Sequence, residues 1–359
     1  MKRLSPTQLI ALVSALGCST PALAICEWRG GISGELVHNL TLTANLWVPR
    51  DAPIGTVIGP LEQRYNVGND ARLGVNCNNV TGTEYLTAQV ANTAPIFAGS
   101  LPPIGGQDLN GRVLQTDVPG IGIHVRLDNP YTGGGVANYW TPDSWTSVPY
   151  TGYHNSATGP LAIEMANLRV YLTLIKTGAI PPGPNSFNGQ KLLSGTYSDV
   201  GTVMRAHLHG TVTRAECTLR PDAVSADPVD LGDHELSVFT AEHTTTPSVP
   251  FHITLNDCED DPAASTATAY INFDGVSGST PIQHDLGLFS LNSVASATGI
   301  GIQLLHADGT PVRLQQDLAI KPLTVGDTQL HFQARYYQTH SSVKPGSAEG
   351  TLSFTVSYR

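Results

Sequence analysis

The last ten residues, Gly350-Thr351-Leu352-Ser353-Phe354-Thr355-Val356-Ser357-Tyr358-Arg359, decide the fold of this chain. Apolar and aromatic residues occupy the even positions from Leu352 to Tyr358, and Ser or Thr occupies the odd positions between them. Residues two apart share one face of a β-strand, so the alternation predicts a strand with one buried face. A strand at the chain end is usually tied into a sheet, and we expect the same here.

Length and composition extend this prediction to the whole chain. The 359 residues are enough for two domains of ordinary size. Charged residues make up only 13%, while Gly (36) and Pro (25) are abundant, and no long window has a helical period. This profile is typical of all-β modules with many turns.

The amino terminus has the features of a signal peptide, predicted to span residues 1–24. Lys2 and Arg3 precede a short apolar core at residues 9–17, and Ala22-Leu23-Ala24 forms a cleavage site. Cleavage there leaves a chain that begins at Ile25. An alternative is a lipoprotein cleaved before Cys18, although Ala15-Leu16-Gly17 is a poor lipobox. No later stretch is apolar and long enough to span a bilayer.

Charge argues against a nucleic-acid partner. Without Lys2 and Arg3 the chain has 17 Lys and Arg against 29 Asp and Glu, a net charge of −12, and no basic cluster. Binding to nucleic acid requires a basic surface. The sequence has no motif for a cofactor, and we expect none.

Four cysteines remain after signal removal: Cys26, Cys77, Cys217 and Cys258. An even count in an exported chain predicts disulfides, and four cysteines allow three pairings. If the chain is two domains, the simple choice is Cys26–Cys77 and Cys217–Cys258. Each bond would contribute roughly 4 kcal/mol in the chain-entropy model.

The carboxyl-terminal half resembles the end of chaperone–usher fimbrial subunits. The motifs that carry the resemblance lie in order over about residues 206–359: Cys217 and Cys258, Gly299-Ile300-Gly301-Ile302-Gln303-Leu304, Asp308-Gly309, Leu330-His331-Phe332-Gln333-Ala334-Arg335-Tyr336, Thr339, Lys344-Pro345-Gly346, Ala348 and the penultimate Tyr358. The resemblance implies a pilin sandwich that lacks its last strand. A periplasmic chaperone would first lend a strand, and an outer-membrane usher would exchange it for the arm of the adjacent fimbrial subunit.

The resemblance also implies roles for particular residues. Leu352, Phe354, Val356 and Tyr358 would line the strand against which the donor pairs, and the chaperone would grip the terminal carboxylate of Arg359. The chain has no arm before Cys26, which in this family indicates a subunit at the fibre tip.

An internal repeat predicts that one fold is used twice. Residues 119–127 are similar to residues 299–304, residues 168–178 to residues 330–339, and residues 180–183 to residues 343–346. We therefore expect two immunoglobulin-like β-sandwiches in tandem. The predicted domains are residues 25–204, which would bind a receptor, and residues 205–359, the pilin domain. A jelly roll is the alternative for the first domain.

Aromatic residues are concentrated between Tyr131 and Tyr153. The candidate ligand-binding residues are Tyr131, Tyr139, Trp140, Asp143, Trp145 and Tyr150. Exposed Tyr and Trp rings suit sugar faces and protein surfaces, and a nearby carboxylate could accept hydrogen bonds from hydroxyls. The alternative is that some of these rings cover the end of the sandwich core.

Other polar clusters are better explained by structure than by chemistry. His207 and His209 share a strand face but lack further metal ligands, and the acidic turn around Cys258 lacks the spacing of a calcium loop. We predict no metal site. Motifs for a nucleophile elbow or a zinc protease are absent, so we predict that the protein is not an enzyme.

These observations predict a fimbrial tip adhesin exported through the periplasm to the cell surface. Its first domain would bind a host glycan or matrix protein, attaching the bacterium to host or abiotic surfaces and supporting biofilm growth. The alternative is a structural tip or cap subunit without a receptor. A secreted hydrolase on a β-sandwich is a third possibility, but it would require an acid–base pair that the sequence does not supply.

Overall fold

The computed structural model describes residues 25–133, 138–158 and 161–359, which form an all-β chain with three short 3₁₀ turns. The predicted signal peptide, residues 1–24, lies outside the described residues. Alternation of side chains explains the strands: Leu86, Ala88 and Val90 are buried in one strand, while Thr87 and Gln89 are exposed.

The strands before the junction are β1 (Ile25–Trp28), β2 (Leu36–Thr41), β3 (Leu46–Pro49), β4 (Val57–Gly68), β5 (Val75–Asn78), β6 (Leu86–Asn92), β7 (Val113–Gln115), β8 (Ile121–Leu127), β9 (Thr141–Pro142), β10 (Tyr150–His154), β11 (Ile163–Met165), β12 (Asn167–Lys176) and β13 (Gly183–Tyr197). The junction is β14 (Gly201–Thr218), followed by β15 (Val249–Glu259), β16 (Thr268–Gly275), β17 (Pro281–Gln283), β18 (Leu288–Phe289), β19 (Ile300–His306), β20 (Leu318–Pro322), β21 (Gly326–Gln338) and β22 (Leu352–Tyr358). The 3₁₀ turns are Arg29–Gly31, Leu236–Val238 and His284–Leu286.

Two large hydrophobic cores divide the chain. One draws its residues from Cys26 to Val212, and the other from Ala215 to Tyr358. We call the parts around them the first unit (residues 25–212) and the second unit (residues 215–359). A smaller cluster around Ile175 belongs to the first unit.

The two units repeat one strand arrangement, which confirms the predicted immunoglobulin-like repeat. In the first unit β8, β12 and β4 lie side by side, and in the second unit β19, β21 and β15 do the same, all antiparallel. On the facing sheets, β6 pairs with β13, and β16 pairs with β22. β13 and β22 therefore hold equivalent places.

β14 belongs to both units. Its first part pairs antiparallel with β13 and, on its other edge, parallel with β2 and β3. Its last residues, Glu216 and Thr218, pair with β15. The predicted domain boundary at residues 204 and 205 lies within this continuous strand.

Each unit contains one disulfide bond, Cys26–Cys77 in the first unit and Cys217–Cys258 in the second. Each bond joins neighbouring strands, β1 with β5 and β14 with β15. The simple local pairing predicted from the sequence is confirmed.

Candidate functional site

The outer edge of β22 is the first candidate site. The described sheet runs β20–β16–β22, so within residues 25–133, 138–158 and 161–359 no strand lies on the far side of β22. At the end of the β16–β22 pairing, the N–H of Arg359 donates to the carbonyl of Thr268 at 3.1 Å, and the N–H of Thr268 donates to the carbonyl of Arg359 at 2.7 Å. Bonded pairs alternate in an antiparallel ladder, so the backbone groups of Leu352, Phe354 and Val356 point outward.

The side chains along this edge form an apolar strip. Leu352, Phe354 and Val356 are half-buried against the second core, and the ring of Phe354 lies 6.2 Å from that of Phe273. Ser353 and Thr355 point to the exposed face. The edge therefore offers unpaired backbone groups beside partly covered apolar side chains, the arrangement that another β-strand recognises.

The structure changes the prediction for Tyr358 but not the one for Arg359. Tyr358 is buried, its hydroxyl donates to the carbonyl of Cys217 at 3.2 Å, and its backbone groups bond Asp51. Tyr358 is thus part of the core and does not line the open edge. The guanidinium of Arg359 pairs with Asp317 and lies over the ring of Tyr270; its contact with a chaperone stays a prediction.

The aromatic cluster of the first unit is mostly internal, which corrects the prediction of exposed rings. Tyr131, Trp140 and Tyr150 are buried. The hydroxyls of Tyr131 and Tyr197 form a hydrogen bond, and Trp140 stacks on Tyr197 at a ring distance of 6.2 Å. Burial raises the pKa of Tyr131 to about 12. Tyr197 of β13 contacts Tyr131 and Trp140, and Tyr150 packs edge-on against Tyr131, so these three rings belong to the core and are not available to a ligand.

The other cluster members lie at the surface but do not converge. Trp145 is 48% exposed, and the guanidinium of Arg112 lies over its ring at 4.2 Å. Asp143 is exposed and Tyr139 is half-buried. Only Tyr139 lines the concavity described next.

A polar concavity of about 710 Å³ lies at the surface of the first unit, next to the β1–β5–β11 sheet. Its wall is rich in amides and charged groups, supplied by Arg29, Asn76, Asn78, Asn138, Tyr139, Glu164, Asn167 and Arg169. Arg29 and Glu164 form an ion pair across it. Amide, carboxylate and guanidinium groups beside a tyrosine ring can hydrogen-bond the hydroxyls of a sugar.

Sequence reasoning missed this concavity because its residues come from four separate stretches of the chain. The two asparagines that flank Cys77 were the available signal, since β5 places both side chains away from the disulfide.

The polar clusters considered for metal binding have structural partners. The buried carboxylate of Asp260 accepts hydrogen bonds from Ser265, Thr266 and Ala267, which closes the acidic turn. His209 contacts Asn39 at 3.2 Å. Over the described part of the chain, no three His, Cys, Asp or Glu side chains are arranged to hold a metal ion. Among the same residues, no helix is long and apolar enough to cross a membrane.

The fold and the open edge define a class: tandem immunoglobulin-like sandwiches, the second of which ends in a strand whose outer edge no described strand pairs. The family model described as "Fimbrial protein" matches residues 206–359. The fimbrial-like protein SfmA of Escherichia coli K12 is 33% identical over 172 residues, which cover 46% of this chain and 90% of SfmA. The type 1 fimbrial subunit of Salmonella typhimurium is 36% identical over 155 residues, 42% of this chain and 80% of that protein. The chain belongs to the fimbrial protein family.

Two solved structures are similar to this chain over different extents. The CupB6 tip adhesin of Pseudomonas aeruginosa is 16% identical, with a TM-score of 0.34, and the match covers 93% of this chain and 94% of that one. The P pilus rod subunit PapA is 18% identical, with a TM-score of 0.33, and covers 40% of this chain and 99% of its own.

Proposed function

We propose that the protein is a tip adhesin of a chaperone–usher fimbria. Its second unit joins the fibre by accepting a β-strand, and its first unit attaches the bacterium to a glycan or matrix protein. Membership of the fimbrial family supports export through the periplasm to the cell surface. The partners are a periplasmic chaperone, an outer-membrane usher and an adjacent subunit that supplies the strand.

The open edge of β22 carries this proposal. Leu352, Phe354 and Val356 face the second core beside backbone groups that no described strand pairs. The equivalent strand of the first unit, β13, has this edge covered by β14. A strand added to β22 would give the second unit the same complete arrangement.

A strand-addition experiment tests the fibre-joining role. We expect a synthetic peptide with alternating Val and Thr to bind the full chain and to protect the amides of Leu352 and Phe354 from hydrogen exchange. Phe354→Asp should abolish this binding, because it places a charge in the apolar strip. Phe97→Asp, on a half-buried ring of the first unit, is the matched control. Unchanged exchange at both amides at saturating peptide would reject strand addition.

The polar concavity supports the receptor-binding role. We expect saturable binding of the full chain on a glycan and matrix-protein array, reduced at least tenfold by Asn76→Ala with Asn167→Ala. Trp145→Ala is the control, because this ring lies outside the concavity. Binding that is lost with Trp145→Ala and kept in the asparagine variant would move the site to the exposed ring.

A structural cap without a receptor is the second candidate. The burial of Tyr131, Trp140 and Tyr150 favours it, because it removes three of the rings expected to contact a ligand. Absence of array binding by the folded, oxidised chain, together with retained peptide binding at β22, would establish the cap.

A further inference from the structure

A segment of the first unit reaches the end of the open edge of the second unit. The backbone N–H of Asp51 donates to the carbonyl of Tyr358 at 2.9 Å, and the N–H of Tyr358 donates to Oδ2 of Asp51 at 2.8 Å. The guanidinium of Arg50 donates to the carbonyl of Val356 at 3.1 Å. These are outward-facing groups of β22, so a strand added to this edge would require them as well.

The segment lies between the first and last strands of the second unit. It continues directly from β3, which pairs with β14 as far as Ala215, and the N–H of Arg50 donates to the carbonyl of Ala215 at 3.0 Å. On its other side it contacts Tyr358. The first unit thus occupies the carboxyl-terminal end of the place that an added strand would fill.

Several contacts fix this segment in place. The ammonium of Lys176, which is only 4% exposed, donates to the carbonyls of Pro49 and Arg50 at 3.3 and 2.5 Å. Arg50 pairs with Asp51 at 2.9 Å and lies over the ring of Tyr358 at 4.6 Å. Trp47 of the same stretch packs against the second core.

The remaining free edge is short. Both backbone groups of Leu352 and Phe354 and the N–H of Val356 stay without a partner among the described residues. These three positions span about five residues, or roughly 17 Å of strand. A strand that paired beyond Val356 would meet Arg50 and Asp51.

We propose that Arg50 and Asp51 close the end of the accepting edge and so set the length and register of the partner strand. The partner is an extended segment of a second fimbrial subunit, with apolar side chains at three alternating positions and an end next to Val356. We infer this side-chain pattern from the first unit. There β14 covers the equivalent strand, β13, with alternating buried residues that include Ala206 and Leu208. This inference rests on the proposed strand addition.

Hydrogen exchange and peptide length together test the proposal on the full chain. The probes are an alternating Val/Thr peptide of about five residues and one of about nine residues. In the native chain without peptide, the amide of Tyr358 should exchange at least tenfold more slowly than those of Leu352 and Phe354. The short peptide should protect Leu352, Phe354 and Val356, and the long peptide should bind no more tightly.

Arg50→Ala with Asp51→Ala should free the carbonyl of Val356 and the N–H of Tyr358, the two edge groups that these side chains bind. In this variant Tyr358 should exchange rapidly without peptide, and the long peptide should bind at least tenfold more tightly than the short one. Asp317→Ala is the control, because this aspartate contacts the side chain of Arg359 and no backbone group of β22.

The outcomes separate the two proposals. An equal length dependence in the native chain and the double variant would overturn the end-closing role and leave strand addition standing. Rapid exchange of Tyr358 in the native chain would do the same. Failure of both peptides to bind either chain would overturn strand addition, and the end-closing role with it.

Discussion

β13 and β22 hold the same place in the two sandwiches, but their outer edges differ. β14 covers β13 along nearly all of Gly183–Tyr197, and the side chain of Phe187 is buried there. β22 has no covering strand among the described residues, and Phe354 is only half-buried. The edge of β13 is therefore covered within this chain, whereas the edge of β22 is the open one on which the proposed strand addition rests.

Alanine substitution of the two edge phenylalanines should give the largest difference between the units. Phe187→Ala should cost about 3–5 kcal/mol in free energy of unfolding, because it leaves a cavity in a packed core. Phe354→Ala should cost about 1 kcal/mol in the free chain, because water already reaches this ring. Denaturant titration of the oxidised chain would measure both free energies.

Phe332 is the control that shows whether the second unit is destabilised when a buried phenylalanine is lost. Phe332 is buried in its core, and Phe332→Ala should cost about 3–5 kcal/mol. If Phe187→Ala and Phe354→Ala destabilised equally, the contrast between a covered and an open edge would fail.

Removal of each disulfide should destabilise mainly its own unit. The bonds close separations of 51 and 41 residues, and each should contribute about 4 kcal/mol. Scanning calorimetry of Cys26→Ala with Cys77→Ala, and of Cys217→Ala with Cys258→Ala, would follow the two transitions. If either pair lowered both transitions equally, the shared β14 would make the chain unfold as one unit.

Acid should weaken the first unit through His124. Burial, reinforced by the charge of Arg112, lowers the pKa of His124 from 6.5 to about 4. The folded state holds the neutral ring, so its stabilising contribution is complete above pH 6.5 and is lost as the pH falls towards 4. The loss should be about 3 kcal/mol by pH 4.

His124→Asn isolates this effect. Thermal unfolding of the native chain and the variant between pH 7 and pH 4 would show the slope that depends on His124. A first transition with the same pH slope in both proteins would show that this histidine does not titrate as its burial requires.

The smallest effect should come from the last residue. The Arg359–Asp317 pair is about two-fifths exposed on both sides, and such pairs contribute less than about 1 kcal/mol. Arg359→Ala should therefore leave the denaturation midpoint of the free chain nearly unchanged. A loss above about 2 kcal/mol would mean that the end of β22 is held much more firmly than its exposure indicates.

The sequence predicted the features that depend on local alternation of apolar and polar residues. It did not predict those that depend on contacts between distant segments. β22 and its apolar face follow from residues 350–359 alone. The openness of its edge depends on which other strands reach it, and the sequence indicated this only through resemblance. The contacts of Asp51 with Tyr358 join residues 307 positions apart, and no local pattern predicts them.

The aromatic cluster shows the limit of composition. Tyr131 and Trp140 lie in a glycine-rich stretch that suits an exposed loop, yet both pack around Tyr197 of β13. Composition reports which rings are near one another in the chain and not which of them are covered. Of the asparagines in the concavity, only Asn76 and Asn78 share a regular strand spacing, and no local pattern joins them to Asn138 and Asn167.

The continuity of β14 has a mechanical consequence. In the fibre that we propose, tension would pass from one unit to the other through Gly201–Thr218, because this strand connects them covalently without a slack loop. The ladders with β13, β2 and β3 lie parallel to that pull, so their hydrogen bonds would be loaded together in shear and not opened one after another. The strand that joins the two units is thus also oriented to carry the load between them.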